Sequence, residues 1–430
     1  MTDQTTDAAA SEAALARYQH AMRRQRGVYY AILAVILAVI GIVVGIAWTH
    51  GEVANTTLHT VPAAPPTLPL QPPSGTLTEA WHATGEQAAI GTPQWGGTVV
   101  TFSDHTVGGR NARTGARTWS YTRSDRAVCT AAQLSGTTIA VYELHGNCDE
   151  VTALDSQTGK RRWTRTLDMD GMPINGRPNF QTTPNTLMAT TSYVIYAIDP
   201  VSGYNRWTYH RTGCSIEHAA LGTGGVLISQ DCSTSVQCGI LKYCGPGQQL
   251  MLRDPMQGNG DDSKPNADQI KWIKFGDAAV PAAADGQLIV IDPGRRRFDV
   301  LDFAHGSTIG TVPLTGAVPA HPAIVAAAIS DAELVWLGGR AYVVSLDPAD
   351  PHWSVATAGP PTVSTSGDSP PSFTAARIDV PSSTGIDELD GMTGTARTFA
   401  LPAPPHARSL VYPVGTGFLV TDPSGMAVYR

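Results

Sequence analysis

Charge is scarce in this chain, and the little there is leans acidic. Asp, Glu, Lys and Arg make up 15% of the 430 residues, and the formal net charge is −7. A surface that neutralises phosphates needs clustered Lys and Arg, so composition speaks against a nucleic-acid partner. Catalytic signatures are missing as well. There is no Gly-x-Ser-x-Gly elbow, no His-Glu-x-x-His helix and no phosphate-cradling glycine loop. The 12 histidines are scattered rather than set at metal-ligand spacing, and His145 and His218, near cysteines, read as turn residues. The six cysteines contain no CxxC pair, which removes the usual zinc-site spacing. Aromatic residues are only 7% of the chain, whereas 43 Gly and 31 Pro suit a turn-dense β-protein better than a helical one.

One long apolar run stands out against this background. Val28 to Trp48 is 21 residues without a charge, enough to cross the roughly 30 Å hydrocarbon core as a helix. Arg23, Arg24 and Arg26 precede it, and no Lys or Arg follows closely. The positive-inside rule then puts residues 1–26 in the cytoplasm, a transmembrane helix at 27–48 and everything later outside the cell membrane. A cleaved signal peptide is the rival reading, but its apolar region is normally shorter, about 7–15 residues. Leu15, Tyr18 and Met22 lie at helical spacing in the tail. Residues 49–76 are proline-rich and aperiodic, which predicts an extended linker between membrane and folded part. The folded region is expected at 77–430.

All six cysteines fall on the predicted outer side, where disulfides persist. Cys129 and Cys148 are 19 residues apart, and Cys214 and Cys232 are 18 apart. Each interval reads as strand, glycine turn, strand, which brings its ends together. Cys238 and Cys244 could close a third, local loop.

The interior of the chain repeats. Asn111, Gly115 and Trp119 recur 44 residues later as Asp155, Gly159 and Trp163, and 44 later again as Asp199, Gly203 and Trp207. Weaker copies follow at Asp254 with Trp272, Asp302 with Gly306, Asp347 with Trp353, and Asp390 with Gly394 and Phe399. Apolar, β-rich runs such as "DGQLIVID" and "GTGFLVTD" stand between them. A unit of about 40 residues with three or four short strands is the signature of a β-propeller blade. Asp bonds turn amides, Gly accepts positive φ, and a Trp on the outer strand wedges against the next blade. Trp81, Trp119, Trp163, Trp207, Trp272 and Trp353 are therefore read as blade-docking residues.

The stretch "ALDSQTGKRRW" resembles the repeat of the quinoprotein-like (PQQ-type) propellers. The resemblance is strong around Trp163, good around Trp119 and Trp207, and degenerate elsewhere. It implies an all-β, eight-bladed propeller, seven being the alternative, preceded by the single N-terminal helix. Closing positions fall at Trp81, Trp119, Trp163, Trp207, Trp272, near Val312, Trp353 and Phe399. Trp81 has no strands of its own before it, and the C-terminal "GTGFLVTDPSGMAVYR" lacks a closing strand, so the two ends are expected to pair. The family holds alcohol dehydrogenases that use pyrroloquinoline quinone with calcium, an Asp base and an adjacent-cysteine disulfide. It also holds a non-enzymatic scaffold of outer-membrane protein assembly, and membrane-anchored actinobacterial proteins, the group this chain most resembles.

No adjacent cysteine pair exists here, and the chain is short for the loops that build the dehydrogenase site. The expected function is a non-catalytic binding or assembly scaffold in the cell envelope, with an envelope protein as partner and no cofactor. A quinone-cofactor dehydrogenase, or another ring-centred enzyme, is the alternative. Two surface features remain: the polar insertion Asn259 to Asp268, a candidate calcium loop, and the Arg295–Arg296–Arg297 cluster. Both read more simply as solvated loops.

Overall fold

The computed structural model describes residues 29–45, 52–68, 73, 76–91, 97–134, 136–144, 146–169, 172–173, 178–211, 213–233, 236–239, 242–244, 247–255, 270–275, 279–285, 287–316, 323–330, 332–347, 350, 352–364, 372–406 and 409–430. The chain divides into two units, 1–56 and 57–430. In the first, a helix is described over 29–45, followed by a single helical turn, Glu52–Asn55. At 1.5 Å per residue the longer helix spans about 26 Å. Among the described residues no helix is long and apolar enough to cross a membrane. The flanking residues of the 27–48 segment, 27–28 and 46–48, lie outside the described residues.

The second unit is a ring of eight sheets, each built on four antiparallel strands. The blades occupy 87–123, 128–166, 179–210, 214–275, 280–313, 324–356, 362–400 and 410–429. First strands touch one another from blade 2 through blade 6, and again between blades 7 and 8. Central strands are buried on both faces, so they read as unbroken apolar runs rather than alternating ones. In blade 5, for example, the first four residues of Leu288–Asp292 and the last four of Arg297–Leu301 are all buried. Strand Glu79–Thr84 is an edge strand, and its burial alternates.

That edge strand seals the ring. It pairs antiparallel with Gly425–Tyr429 as the outermost strand of blade 8, with Trp81 opposite Val428. Eight blades are present. The chain then turns into blade 1 through Glu86, whose carboxylate takes Arg110 at 2.7 Å and also pairs with Arg117.

The proline-rich segment departs from the spacer expected at 49–76. Strand Thr56–His59 adds a fifth strand to blade 1, outside its outer strand. The Val61 N–H donates to the Thr158 carbonyl at 3.1 Å. The Pro65 and Pro66 carbonyls lie so close to Gly97 that a Cβ there would sit 2.3 Å from the Pro66 oxygen. Leu68 is buried with Trp81, Val99, Tyr412 and Val414. Residues 57–68 thus form a strap across blades 1, 2 and 8. Leu68→Ala should lower stability by about 2 kcal/mol, by lost burial and partial collapse. A free spacer would show no change in chemical denaturation.

Alternate connections fall at opposite ends of such a ring. Turns between the third and fourth strands, which carry the Asp–Gly motif, gather at one end, here the turn end. Links between second and third strands, and from blade to blade, gather at the other, the crossover end.

Candidate functional site

At the turn end each repeat builds the same joint. Asp155 Oδ1 accepts the N–H groups of Gln157 and Thr158 at 3.1 and 2.9 Å. Asp199 and Asp390 do likewise, and Asn111 substitutes for Asp in blade 1. Burial works to raise the Asp155 pKa, but hydrogen bonds from Arg162 and Thr158 outweigh it and hold the carboxyl below its ordinary value. Gly159, four residues on, has φ +74°, and a Cβ there would lie 2.8 Å from the Trp119 ring of the previous blade. Glycine is needed twice over, for the backbone and for the indole.

The six tryptophans named from the sequence all dock across a seam. Each indole Nε1–H donates to a carbonyl in the turn of the following blade. Trp81 reaches Ala112 at 3.1 Å, Trp119 Ser156 at 3.0 Å, and Trp163 Val201 at 3.0 Å. Trp207 reaches Pro255 at 3.0 Å, Trp272 Phe303 at 3.1 Å, and Trp353 Gly391 at 3.0 Å. In all but the Trp163 contact just given, the acceptor is the residue directly after the motif Asp or Asn. These hydrogen bonds were invisible in the sequence, because donor and acceptor are 31 to 48 residues apart. The two seams without Trp use other rings. Between blades 5 and 6, Phe298 meets Tyr342 edge-on at 5.3 Å, and the Tyr342 hydroxyl donates to the Thr315 carbonyl at 2.5 Å. Between blades 7 and 8, Phe399 lies 5.4 Å from Phe418. These residues are architecture.

The crossover end differs in character. Cys129–Cys148 ties the first strand of blade 2 to its third, and Cys214–Cys232 ties the first strand of blade 4 to its second. Loop-closure entropy makes each worth about 3 kcal/mol. Peptide mapping without reductant should recover both pairs, and reduction should lower the melting temperature. The backbone of the third cysteine pair forms a small extra hairpin, Val236–Gly239 with Lys242–Cys244. The Cys238 and Cys244 side chains lie outside the described residues, as does the 259–268 insertion.

Two cavities open at this end, at the mouth of the central channel. The first, about 220 Å³, is lined by Ile90, the Cys129–Cys148 disulfide, Thr130, Pro178 and Phe180. The second, about 360 Å³, is polar, with Gln181, Thr190, Ser192, Glu217 and His218 among its walls. Asn179 lines both. Gln181 also bridges blades 3 and 4, donating to the Ala219 carbonyl at 2.7 Å and accepting from Leu221 N–H at 2.8 Å. A third cavity, about 300 Å³, lies beside the arginine cluster. There Arg295 pairs with Asp292 at 3.3 Å and Arg297 with Asp299 at 2.6 Å, so those two charges are answered locally. Ion pairs buried between blades were also missed from sequence. Arg123 is fully buried, bonded to Glu150 of blade 2 at 2.6 Å and to Asp125 at 3.0 Å. Burial opposes its charge, but Asp125 and Tyr121 together more than compensate and its pKa is raised. Among the described residues no group of three His, Cys, Asp or Glu side chains is placed to hold a metal ion.

Residues 46–229 match the PQQ_2 family, described as "Outer membrane protein assembly factor BamB". A comparison with curated proteins finds no match. Among solved structures, Sqt1 of Saccharomyces cerevisiae superposes with a TM-score of 0.51 at 10% identity, over 84% of this chain and 99% of that one. BamB from Moraxella catarrhalis gives 0.49 at 14% identity, over 83% of this chain and all of the other. Quinohemoprotein alcohol dehydrogenase from Comamonas testosteroni gives 0.45 at 12% identity, over 82% and 76%. At these identities the likeness concerns the fold. The matched stretch holds the three full motifs ending in Trp119, Trp163 and Trp207, and the later blades continue the same joint. Over residues 46–229 the chain is therefore similar to the PQQ_2 repeat family.

Proposed function

We propose that this protein is a non-catalytic binding and assembly scaffold, held on the outer side of the cell membrane by its N-terminal segment. The observation that carries the reading is the match of residues 46–229 to repeats described for an outer-membrane protein assembly factor. Two disulfides at the crossover end support an oxidising compartment. The uncharged run Val28 to Trp48, with three arginines just before it, supports an anchor whose N-terminus is cytoplasmic. The docking tryptophans are used up in holding the ring together, which leaves the loops and cavities of the crossover end for a protein partner.

Protease added to intact spheroplasts should remove residues 77–430 and spare an N-terminal tag; a digested tag would reverse the orientation. Catalysis is tested on the purified full chain with pyrroloquinoline quinone and calcium. No saturable binding and no dye reduction are expected. Saturable binding with dye-reducing activity would replace the scaffold by a quinone-cofactor dehydrogenase.

A further inference from the structure

We propose that the crossover end binds an extended segment of a partner protein, paired by its backbone to the inner edge of blade 2. An apolar side chain fills the cavity at Phe180, and a basic side chain meets Glu217. The idea rests on the binding-scaffold reading and names the chemistry of what is bound.

The chain itself shows that this inner edge accepts a backbone partner. Ile90, just past the first strand of blade 1, forms an isolated parallel bridge to Ala132. Its N–H donates to the Ala131 carbonyl at 2.9 Å, and its carbonyl accepts from Gln133 N–H at 2.7 Å. The pairing stops at once. Gly91 has φ +69°, and a Cβ there would lie 2.9 Å from the Gln133 oxygen, so a glycine lets the segment leave the edge. The self-made bridge therefore occupies the edge at 131–133. Further up the same strand, Cys129 and Thr130 line the smaller cavity together with Ile90 and Phe180. Inner strands are sheet edges, and an edge left open is a template for strand addition.

The walls then choose the occupant. The smaller cavity is bounded by Ile90, Pro178, Phe180 and a disulfide, which suits one apolar side chain. Asn179 leads into the larger cavity, where amides and hydroxyls dominate. The Thr190 hydroxyl is buried there without a hydrogen-bond partner. Glu217 is exposed and, among the described residues, is the one carboxylate lining either cavity, so charge complementarity selects Lys or Arg. Asn179 lines both cavities, so the two subsites adjoin, and alternate residues of an extended chain, about 6.6 Å apart on one face, are the natural pair to occupy them.

The test pans a random heptapeptide library against the purified full chain in detergent. Enriched peptides should combine an apolar residue with Lys or Arg at even spacing. Synthetic copies should bind at least about tenfold more weakly to Phe180→Asp and to Glu217→Lys. Backbone N-methylation of the peptide should abolish binding, while Val201→Asp at the turn end should change nothing. Glu217 is exposed, so its variant is expected to fold and melt as the wild type does. No enrichment, binding indifferent to Glu217→Lys, or equal binding of N-methylated copies overturns the proposal. Those results leave the spheroplast and cofactor assays untouched, so this inference and the scaffold reading fail separately.

Discussion

Replacing Trp119 by alanine should lower the unfolding free energy by about 3–5 kcal/mol, among the largest single losses available in this ring. The side chain is 1% exposed and sits between two blades, so its removal opens a cavity that neither sheet can close alone. The Ser156 carbonyl also loses its indole donor. Trp119→Phe separates these effects. Most of the apolar area stays, and the expected loss of about 1–3 kcal/mol is mainly the unsatisfied buried carbonyl.

Trp81→Ala is the companion experiment, because the same joint there closes the ring. Its indole reaches Ala112 at 3.1 Å, and Gly115 of blade 1 is pressed against it. At 9% exposure it is slightly less buried than Trp119, so the loss should fall at the lower end of the same range. Deleting residues 77–83 should cost more, because it strips the outer strand from blade 8 and bares the edge at Gly425–Tyr429. Chemical denaturation of the purified chain measures all three. If Trp81→Ala unfolds like wild type while Trp119→Ala is destabilised, the seam between blades 8 and 1 contributes nothing, and ring closure is not what holds the termini.

The turn end was legible from sequence because local chemistry writes it. Asp or Asn at one position, Gly four later and Trp four after that have separate physical reasons, and their recurrence at 44 residues makes chance implausible. Ring closure was legible by counting, since one Trp lacked strands before it and the last strands lacked a partner after them. The strap was not. Polyproline stretches carry no internal hydrogen bonds, so nothing local distinguishes Leu68 buried against blade 8 from Leu68 in a free linker. The Ile90 bridge escaped for a similar reason, since a single pairing at the axis has no period. Seams without Trp were found as gaps, and their rings, Tyr342 and Phe418, could be assigned only once neighbouring blades were in place.

Buried charge was the other blind spot, and Asp379 supplies its test. Alternation along Arg377–Pro381 would normally put Asp379 on a solvent face opposite Ile378 and Val380. In a propeller both faces of a central strand are covered, and Asp379 is completely buried. It lies directly across from Glu388 in the sheet, a like-charge pairing that disfavours ionisation. Arg377 approaches both carboxylates, at 3.3 and 3.0 Å. Burial dominates, Glu388 adds to it, Arg377 opposes it, and the pKa is pushed up to about 7. The sign follows from proton uptake. An unfolded Asp titrates near 3.9, so between there and pH 7 the folded state holds a proton that the unfolded state has released. Stability from this group is present at low pH, falls as pH rises through that window, and levels off above it. The full span is of order 4 kcal/mol, since each tenfold change in proton affinity is worth about 1.4 kcal/mol. Asp379→Asn keeps the shape without the charge. It should therefore gain on wild type steadily from pH 4 to 7 and hold a constant advantage at pH 8. Denaturation of both proteins at several pH values gives the difference directly, which cancels every titrating group not coupled to Asp379. A difference independent of pH would mean that Asp379 stays ionised in the fold, and that Arg377 outweighs both burial and Glu388.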